Sequence, residues 1–201
     1  MTQGVEAIVH APQNFITMPW KNGLGSTIEL IAMHEKGSNE FLWRLSIADV
    51  CNDGAFSNFS GYDRILTLLS GQGITLDYQG DEKRPQKQDV LSQIFSKAHF
   101  DGATTTFANL HNGPIQDFNV MTKKGVVTAQ VQNYTDAKAQ NIGFTGNHCF
   151  VYAHLDSVSV VDSLGHKTLL SEGHLLEFRE LYNEQLSLSG RAIMTIQISF
   201  L

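Results

Sequence analysis

The chain of 201 residues is long enough to bury the core of one large domain or two small ones. Its formal net charge of −6 and sequence pI of about 5.7 argue against nucleic acid or an anionic membrane surface as the main partner. The N-terminus lacks the basic and apolar segments of a secretory signal, and no apolar run approaches the ~18 residues of a membrane helix. We therefore expect a cytoplasmic protein with two free thiols, Cys51 and Cys149.

Short stretches of strand character follow one another along the chain. The first strong one, Phe41–Val50, alternates so that Arg44 lies on its more polar face. Gly- and Asn-rich turns punctuate the chain about every ten residues. This pattern predicts an all-β barrel or sandwich, and a single weak helix candidate, 86–97, is equally consistent with a loop. The further strand-like runs are 64–69, 74–78, 118–121, 126–131, 150–154, 158–161, 167–170, 175–179, 185–188 and 192–200.

A faint internal repeat divides the chain into two halves. Residues 64–80 align without a gap on residues 149–165, and most apolar positions coincide. The repeat predicts two hairpin-rich barrels of similar design.

Metal-binding and nucleophilic motifs are missing from the sequence. None of the eight histidines forms a His-x-His pair, and His148 and His154 are six residues apart on one strand, roughly 20 Å at strand rise. The sequence has no Gly-x-Ser-x-Gly, and Cys51 and Cys149 have the character of small buried apolar residues. We therefore assign no metal, no cofactor and no catalytic residue.

Residues suited to binding anions and amides are more prominent. Trp20, Lys21, Asn22 and Gly23 place an aromatic ring, a cation and a carboxamide where the main chain can approach a ligand. The alternative is a plain hairpin turn with a solvated Lys21.

The arginines also have two interpretations. Arg44 in a half-buried strand needs either a structural carboxylate, such as Asp49 or Asp63, or the carboxylate of a ligand. Asp63 and Arg64 are adjacent in a strand, so at most one of them faces a pocket.

Aromatic and polar side chains near these arginines complete the candidate site. Phe56 and Tyr62 lie in a loop where they form either a hydrophobic plug or the walls of a pocket. Asp117 and Asn119 share one face of a strand with Met121. On an inward face the two polar groups must close a hydrogen-bond network or contact a ligand, and on an edge strand they would be solvated.

Three blocks of these residues together resemble the HutD/Ves family. They are Pro19-Trp20-Lys21-Asn22-Gly23 with Thr27 and Glu29, the block from Phe41 to Gly73 that includes Asp53-Gly-Ala-Phe-Ser and Gly61-Tyr-Asp-Arg, and Asp117-Phe-Asn-Val-Met121. The resemblance covers about the first 125 residues and implies a cupin-type (RmlC-like) double-stranded β-helix, or jelly roll, in a bicupin arrangement without metal-binding histidines. It also implies a regulatory or ligand-sensing role in histidine utilisation, whereas the Ves branch is linked to cold and stress response.

From this resemblance we expect an N-terminal cupin-like barrel over 1–125 and a C-terminal half over 126–201, in one compact unit whose halves may exchange strands. The favoured function is a regulatory protein that binds a small anionic metabolite of histidine degradation, such as urocanate or a formylated amino acid. We expect no nucleic-acid or membrane partner, and the chain could form a homodimer. The ten residues assigned to the binding site are Trp20, Lys21, Asn22, Gly23, Arg44, Phe56, Tyr62, Arg64, Asp117 and Asn119.

Two other functions remain open from the sequence. A metal-independent isomerase or hydrolase would use Asp117 or Asp63 as general base and Tyr62 as acid. A purely structural or partner-binding protein would have no cavity between its strands and would expose a contiguous apolar patch instead.

Overall fold

The computed structural model describes residues 6–20, 23, 25–79, 87–179 and 184–201, with only the backbone of Glu6 and Glu184. These residues form seventeen strands and one short 3-10 helix, Pro12–Asn14. The strands are β1 (Glu6–His10), β2 (Ile16–Pro19), β3 (Gly25–His34), β4 (Phe41–Val50), β5 (Gly54–Ala55), β6 (Tyr62–Ser70), β7 (Ile74–Tyr78), β8 (Lys87–Leu91), β9 (Lys97–Asp101), β10 (Thr106–Leu110), β11 (Ile115–Lys123), β12 (Val127–Phe144), β13 (His148–Ala153), β14 (Val158–Val161), β15 (Lys167–Leu170), β16 (Leu175–Arg179) and β17 (Glu184–Phe200).

The chain divides into two compact units. The N-terminal unit is Ile16–Val126, and the C-terminal unit is Val127–Leu201 together with the chain up to Phe15. The halves expected from the sequence were 1–125 and 126–201. In the structure β1 is paired antiparallel with β16, so residues 6–15 belong with the C-terminal unit. Residues 6–15 belong to this unit because the backbone of β1 is hydrogen-bonded to β16. No local sequence pattern predicts such pairing between strands far apart in the chain.

The N-terminal unit consists of two antiparallel sheets. One has the order β2-β3-β4-β11-β6-β9, and the other has the order β5-β10-β7-β8. Alternation along each strand turns one set of side chains towards a common core. The buried core residues of this unit form the cluster Ala48, Val50, Leu66, Leu68, Ile74, Leu76, Tyr78, Leu91, Ala98, Phe100, Ala108 and Ile115.

The C-terminal unit is built on one sheet with the order β1-β16-β13-β17-β14-β15, in which β12 also pairs with β17. The long strand β17 pairs through its first part with β14 and through its second part with β13. Its buried core cluster is Ala137, Ile142, Phe144, Cys149, Val151, Ala153, Val158, Val160, Leu170, Leu176, Phe178, Leu186, Leu188 and Ile193.

The two segments of the internal repeat occupy equivalent places in their units. The described part of the first segment, residues 64–79, spans β6 and β7, and residues 149–165 span β13 and β14. Strand β6 lies between β11 and β9, just as β13 lies between β17 and β16. Similarly, β7 pairs with β10 and β8, and β14 pairs with β17 and β15. The two units thus share one pattern of strand pairing.

The candidate helix at 86–97 is wrong over its described part, and the loop alternative holds only for residues 92–96. Residues 87–91 form β8, which pairs with β7, and Lys97 begins β9. Phe95 adopts a positive φ of 72°, a conformation that no helix accommodates. Leu91 is buried in the core opposite Ile74, so long-range pairing overrides a weak local helical pattern.

Both cysteines are free, but their surroundings differ. Cys149 is buried in the C-terminal core, as the sequence suggested. Cys51 is exposed, which corrects the expectation that it is buried, because it follows the last residue of β4 where the chain leaves the sheet. Within the described residues, no helix has the length and apolar character required to cross a membrane.

Candidate functional site

The N-terminal unit contains a cavity of about 440 Å³, which we call the N-terminal cup. Its walls come from the sheet that contains β4, β6 and β11 and from the loop after β5. The lining residues are Met18, Pro19, Trp20, Thr27, Arg44, Ser46, Ala48, Val50, Ala55, Phe56, Ser57, Phe59, Arg64, Asp117, Asn119 and Met121.

Strand register brings two arginines to the same part of the cup. Met121 on the central strand β11 is the Cα partner of Arg44 on β4 and of Arg64 on β6. The two arginines therefore flank one residue, with Cα atoms two strand spacings apart, roughly 10 Å. Asp63 points to the opposite side of β6 and lies 4.0 Å from Lys124, as expected for adjacent residues of a strand.

Arg44 has aromatic and sulfur neighbours but no acidic partner. Its Nη2 donates to Met121 Sδ at 3.3 Å, and its guanidinium lies 4.8 Å from the ring centre of Phe41 and 5.4 Å from that of Phe59. Its Nε is buried without a hydrogen-bond partner. Burial lowers the pKa of Arg44, and the nearby charge of Glu29 opposes that shift.

The two carboxylates considered as structural partners of Arg44 are engaged elsewhere. Asp49 accepts hydrogen bonds from Ser26 at 3.0 Å and from Gln116 at 2.8 Å. Asp63 lies near Lys124. Among the described residues no carboxylate lies within 4.0 Å of the Arg44 guanidinium, and the ligand interpretation for this arginine stays a prediction.

Arg64 is almost fully buried, with 7% of its surface exposed. Its Nη2 donates to Asn119 Oδ1 at 2.8 Å, and its Nε has no partner. Its guanidinium lies 5.2 Å, 5.6 Å and 5.0 Å from the ring centres of Phe56, Phe59 and Phe100. Burial lowers the pKa of Arg64 to about 10, although the neighbouring Asp117 opposes the shift.

Asp117 is connected to Arg64 only through Asn119. Asn119 Nδ2 donates to Asp117 Oδ1, whereas Asp117 Oδ2 is buried without a partner. Complete burial raises the pKa of Asp117 to about 7; the positive charge of Arg64 and the hydrogen bond from Asn119 lower it, and the charge of Asp49 raises it further. The cup therefore contains a partly satisfied chain from Arg64 through Asn119 to Asp117.

Trp20 forms an apolar wall and is fixed in place by its neighbours. Its Nε1 donates to Thr27 Oγ1 at 2.8 Å, and its backbone N–H donates to the carbonyl of Gly25 at 2.9 Å. A Cβ added at Gly25 would lie 2.1 Å from the carbonyl oxygen of Asp49 and 3.1 Å from the indole ring. Only glycine fits at this position of β3, where it lets the indole pack closely.

The loop after β5 carries two phenylalanines over the arginines. The backbone N–H of Phe56 donates to Thr106 O at 2.9 Å, and that of Phe59 donates to Gly102 O at 2.8 Å. A Cβ at Gly102 would lie 2.4 Å from the Phe59 carbonyl oxygen, so the loop approaches β9 closely. Phe56 and Phe59 thus form walls of the cup; Phe59 lies near both guanidinium groups and Phe56 near that of Arg64.

Tyr62 does not contribute to the cup. Its hydroxyl donates to the Phe41 carbonyl at 2.9 Å, and its ring centre lies 4.3 Å from that of Phe41. Gly23 has a positive φ of 70° and does not line the cup, and Lys21 and Asn22 lie outside the described residues. Of the ten residues assigned from the sequence, six line the cup: Trp20, Arg44, Phe56, Arg64, Asp117 and Asn119.

Sequence reasoning omitted several lining residues from the binding site. Ser46 lies two positions after Arg44 on β4, and Met121 follows Asn119 on β11, so strand alternation contains the signal for both. Phe59 contacts both guanidinium groups. Its inward orientation could not be predicted, because the spacing of aromatic residues in an irregular loop does not determine which ring points into the cup. Across the part of the chain that the structure describes, no group of three or more His, Cys, Asp or Glu side chains is placed to hold a metal ion.

The sequence is similar to proteins of one family. A family model described as HutD matches residues 12–195. A Pseudomonas putida protein described as an uncharacterized 21.2 kDa protein in the hutC 3' region is 41% identical over 109 residues; the match spans 54% of this chain and about half, 54%, of that relative. Protein Ves of Escherichia fergusonii is 32% identical over 154 residues, or 76% of this chain and 73% of that protein.

Solved structures agree with this likeness. A structure of HutD from Pseudomonas fluorescens SBW25, described as a formate condition, is 31% identical with a TM-score of 0.81 and covers 98% of this chain and 100% of that one. An oxalate decarboxylase of B. subtilis matches with a TM-score of 0.65 over 95% of this chain and 76% of that one. At 8% identity that match shows the fold alone, which confirms the cupin-type, bicupin architecture expected from the resemblance. The chain belongs to the HutD family.

Proposed function

We propose that this protein is a small-molecule-binding regulatory protein that senses or buffers an anionic metabolite of histidine degradation, namely urocanate or a formylated amino acid. The observation that carries the proposal is the pair of arginines in the N-terminal cup. Arg44 and Arg64 each have a buried Nε without a partner, and among the described residues neither has a carboxylate within 4.0 Å. Buried guanidinium groups without a counter-ion are costly, and a carboxylate ligand would compensate both.

The walls of the cup suit a ligand with a small apolar or planar body. Trp20, Phe56 and Phe59 present aromatic surface, and Asn119 and Asp117 present polar atoms deeper in the cup. Pockets of this kind, largely apolar with a few placed polar groups, bind small molecules in an oriented way. Lys21 and Asn22 remain predicted members of the site, where they would add a cation and a carboxamide.

The choice of ligand class rests on the relatives. One relative is described as lying in the hutC 3' region, and another is named HutD and was studied in a formate condition. Formate is a carboxylate, and urocanate and formylated amino acids carry carboxylates. The proposal therefore joins the chemistry of the arginines with the pathway suggested by these names.

Neither alternative function has comparable support. The enzyme hypothesis placed Tyr62 as an acid opposite a carboxylate base, but the Tyr62 hydroxyl is bonded to the Phe41 carbonyl and does not line the cup. Asp63, the other candidate base, lies on the opposite face of β6 beside Lys124. The structural hypothesis required a molecule without a cavity between its strands, whereas the N-terminal cup measures about 440 Å³.

Isothermal titration calorimetry with urocanate and with N-formylglutamate tests the proposal. We expect binding by the native protein and a loss of about 10–100-fold in affinity for Arg64→Met, because a buried charge-assisted hydrogen bond is removed. Arg191→Met is the matched control, since it removes the same charge from a side chain that is 74% exposed. Mass spectrometry of the recovered ligand accompanies the titration.

The outcomes separate the functions. No heat with either compound at millimolar concentration would reject the named ligands. Equal affinity in Arg64→Met and Arg191→Met would reject the N-terminal cup as the site. Chemical conversion of the recovered ligand would replace the regulatory function with an enzymatic one.

A further inference from the structure

Asp117 is a buried carboxyl group in a cup that is proposed to bind an anion, and binding of the anion by the two arginines alone does not explain its presence there. Among the described residues that line the N-terminal cup it is the only carboxyl group. It is completely buried, yet it forms no ion pair with Arg64, because the Asn119 amide lies between them and bonds to both. Asp117 Oδ2 is left without a partner on the wall of the cup. A buried oxygen and two buried N–H groups without partners therefore belong to side chains that line one cavity, which indicates a ligand that contacts them.

The protonation state of Asp117 decides what this ligand must offer. In the ionised form Oδ2 is an acceptor and requires a donor from the ligand. In the neutral form Oδ1 still accepts from Asn119, so the proton lies on Oδ2 and makes that atom a donor. The neutral form therefore presents three unpartnered donors, which are Oδ2–H of Asp117 and Nε–H of Arg44 and of Arg64.

An anion in the cup favours the neutral form. Arg64 on β6 and Arg44 on β4 line the cup with Asp117, and the charged and titratable groups that act on these three side chains from outside its lining are Asp49 on β4, Glu29 on β3, Tyr62 on β6 and Tyr78 on β7. Arg64 is the cation that stabilises ionised Asp117. A bound carboxylate neutralises that cation and adds a negative charge nearby, and both effects raise the pKa of Asp117. Burial has already raised this pKa to about 7 in the free protein.

We propose that the N-terminal cup takes up one proton together with its anion, and that neutral Asp117 is a specificity-determining residue that donates from Oδ2 to the bound anion. This inference rests on the proposed function, since it requires an anion between the arginines. The proton comes from solvent and forms the Oδ2–H bond of Asp117; no other covalent bond changes, and this O–H donates a hydrogen bond to an oxygen atom of the anion. The ligand atom that faces Asp117 is then an acceptor, such as a carboxylate or carbonyl oxygen, and not an N–H group.

Calorimetric titration with sodium formate between about pH 6 and about pH 9 tests this inference. Repeating each titration in two buffers of different ionisation enthalpy counts the protons taken up. Above about pH 7 we expect close to one proton per formate and an affinity that falls about tenfold per pH unit, with a plateau at lower pH. In Asp117→Asn the amide keeps an acceptor for Asn119 and supplies a permanent donor. Its affinity should be independent of pH and similar to the plateau value of the native protein.

Asp49→Asn is the matched control, because it removes the other carboxylate that acts on Asp117 while Asp49 itself bonds to Ser26 and Gln116. It should retain the pH slope. Formate binding without proton uptake, or a slope that persists in Asp117→Asn, would overturn the inference and leave the anion site intact. Failure of both formate and the proposed metabolites to bind at any pH would overturn both proposals.

A spectroscopic measurement on the native protein covers the case in which Asp117→Asn does not fold. Infrared difference spectra recorded at about pH 8 on formate addition should show a new carboxylic-acid C=O band as Asp117 becomes neutral. Without that band, Asp117 stays ionised and the inference fails.

Discussion

The two units share a pattern of strand pairing but differ in what they place at equivalent positions. In the N-terminal unit Arg64, Leu66 and Leu68 on β6 pair with Met121, Asn119 and Asp117 on β11. In the C-terminal unit Cys149, Val151 and Ala153 on β13 pair with Gln197, Thr195 and Ile193 on β17. The alignment of the internal repeat places Cys149 at the position of Arg64, and the register then places Ile193 at that of Asp117 and Thr195 at that of Asn119.

The neighbouring strand strengthens the contrast. Ala48 on β4 pairs with Asp117, and its small side chain leaves room at the wall of the N-terminal cup. Tyr134 on β12 pairs with Ile193 at the equivalent position and packs against the C-terminal core cluster. The C-terminal unit therefore has an apolar side chain at the position of Asp117, although the buried Thr195 keeps a hydroxyl group at the position of Asn119. Since an unpartnered buried carboxyl oxygen lowers stability, its retention at Asp117 is what a binding site requires.

The largest change in the free energy of unfolding is expected when an aspartate is placed at Ile193, the position in the C-terminal unit that is equivalent to Asp117. Ile193 is fully buried in the apolar cluster, so Ile193→Asp combines a lost apolar contact with an ionisable carboxyl group among apolar side chains. We expect the free energy of unfolding to fall by roughly 5 kcal/mol or more. Urea denaturation measures it, with Ile193→Val as the control at about 1 kcal/mol. If Ile193→Asp lowered the free energy of unfolding by less than about 2 kcal/mol, the C-terminal unit would tolerate a buried carboxyl group there. The difference between the two units at this position would then not reflect a binding site.

Removing the carboxyl group from the N-terminal cup should stabilise the free protein at alkaline pH. The folded-state pKa of Asp117 is about 7, above its ordinary value of 3.8, so the folded protein retains a proton that the unfolded chain releases. Stability therefore falls as pH rises from about 4 to about 7, and the full penalty applies above that window. Asp117→Asn should remove this penalty and raise the free energy of unfolding by on the order of 2–3 kcal/mol at about pH 8.

The measurement is urea denaturation of both proteins from about pH 4 to about pH 9. Below the window the two should differ little, because Asp117 is neutral in the folded and unfolded states alike. Parallel pH profiles would show that Asp117 is ionised in the folded protein throughout, contrary to the effect of its burial.

Strand alternation made half of the site predictable from the sequence. It placed Arg44 on the more polar face of β4 and put Asp117 with Asn119 on one face of β11, because side-chain direction has a period of two. It could not supply the register between β6 and β11, which brings Arg64 to Asn119. Register depends on the pairing of strands about fifty residues apart along the chain, and no local pattern encodes it.

Loops and isolated strands were less predictable for a related reason. Phe56, Phe59 and Tyr62 are aromatic residues spaced three apart in one segment. Phe56 and Phe59 line the cup, whereas Tyr62 packs on Phe41. Hydrogen bonds from the loop to Thr106 and Gly102 decide this outcome, and they form only once the sheet exists. The pairing of β1 with β16 is equally non-local.

Replacing one arginine in each unit should change the free energy of unfolding least of all. The two replacements should nevertheless differ, because only the one in the C-terminal unit should destabilise the protein. Arg44 in the N-terminal cup has no acidic partner within 4.0 Å among the described residues, so Arg44→Met removes a half-buried charge without an ion-pair partner and leaves a side chain that can pack on Met121 and Phe59. We expect unchanged or slightly raised stability, within about 1 kcal/mol, together with weaker anion binding. Arg179 in the C-terminal unit donates to the buried Glu177 at 3.0 Å, and its exposure screens the pair.

Arg179→Met should therefore lower the free energy of unfolding by about 1 kcal/mol. The same urea denaturation at neutral pH measures both variants, and formate titration follows the function of each. A destabilised Arg44→Met with unchanged formate affinity would mean that Arg44 serves the fold, as Arg179 does. The opposite pattern, in which stability is kept and affinity is lost, supports the view that one unit is organised for binding and the other for stability, because a residue retained for a ligand contributes to affinity and not to the free energy of unfolding.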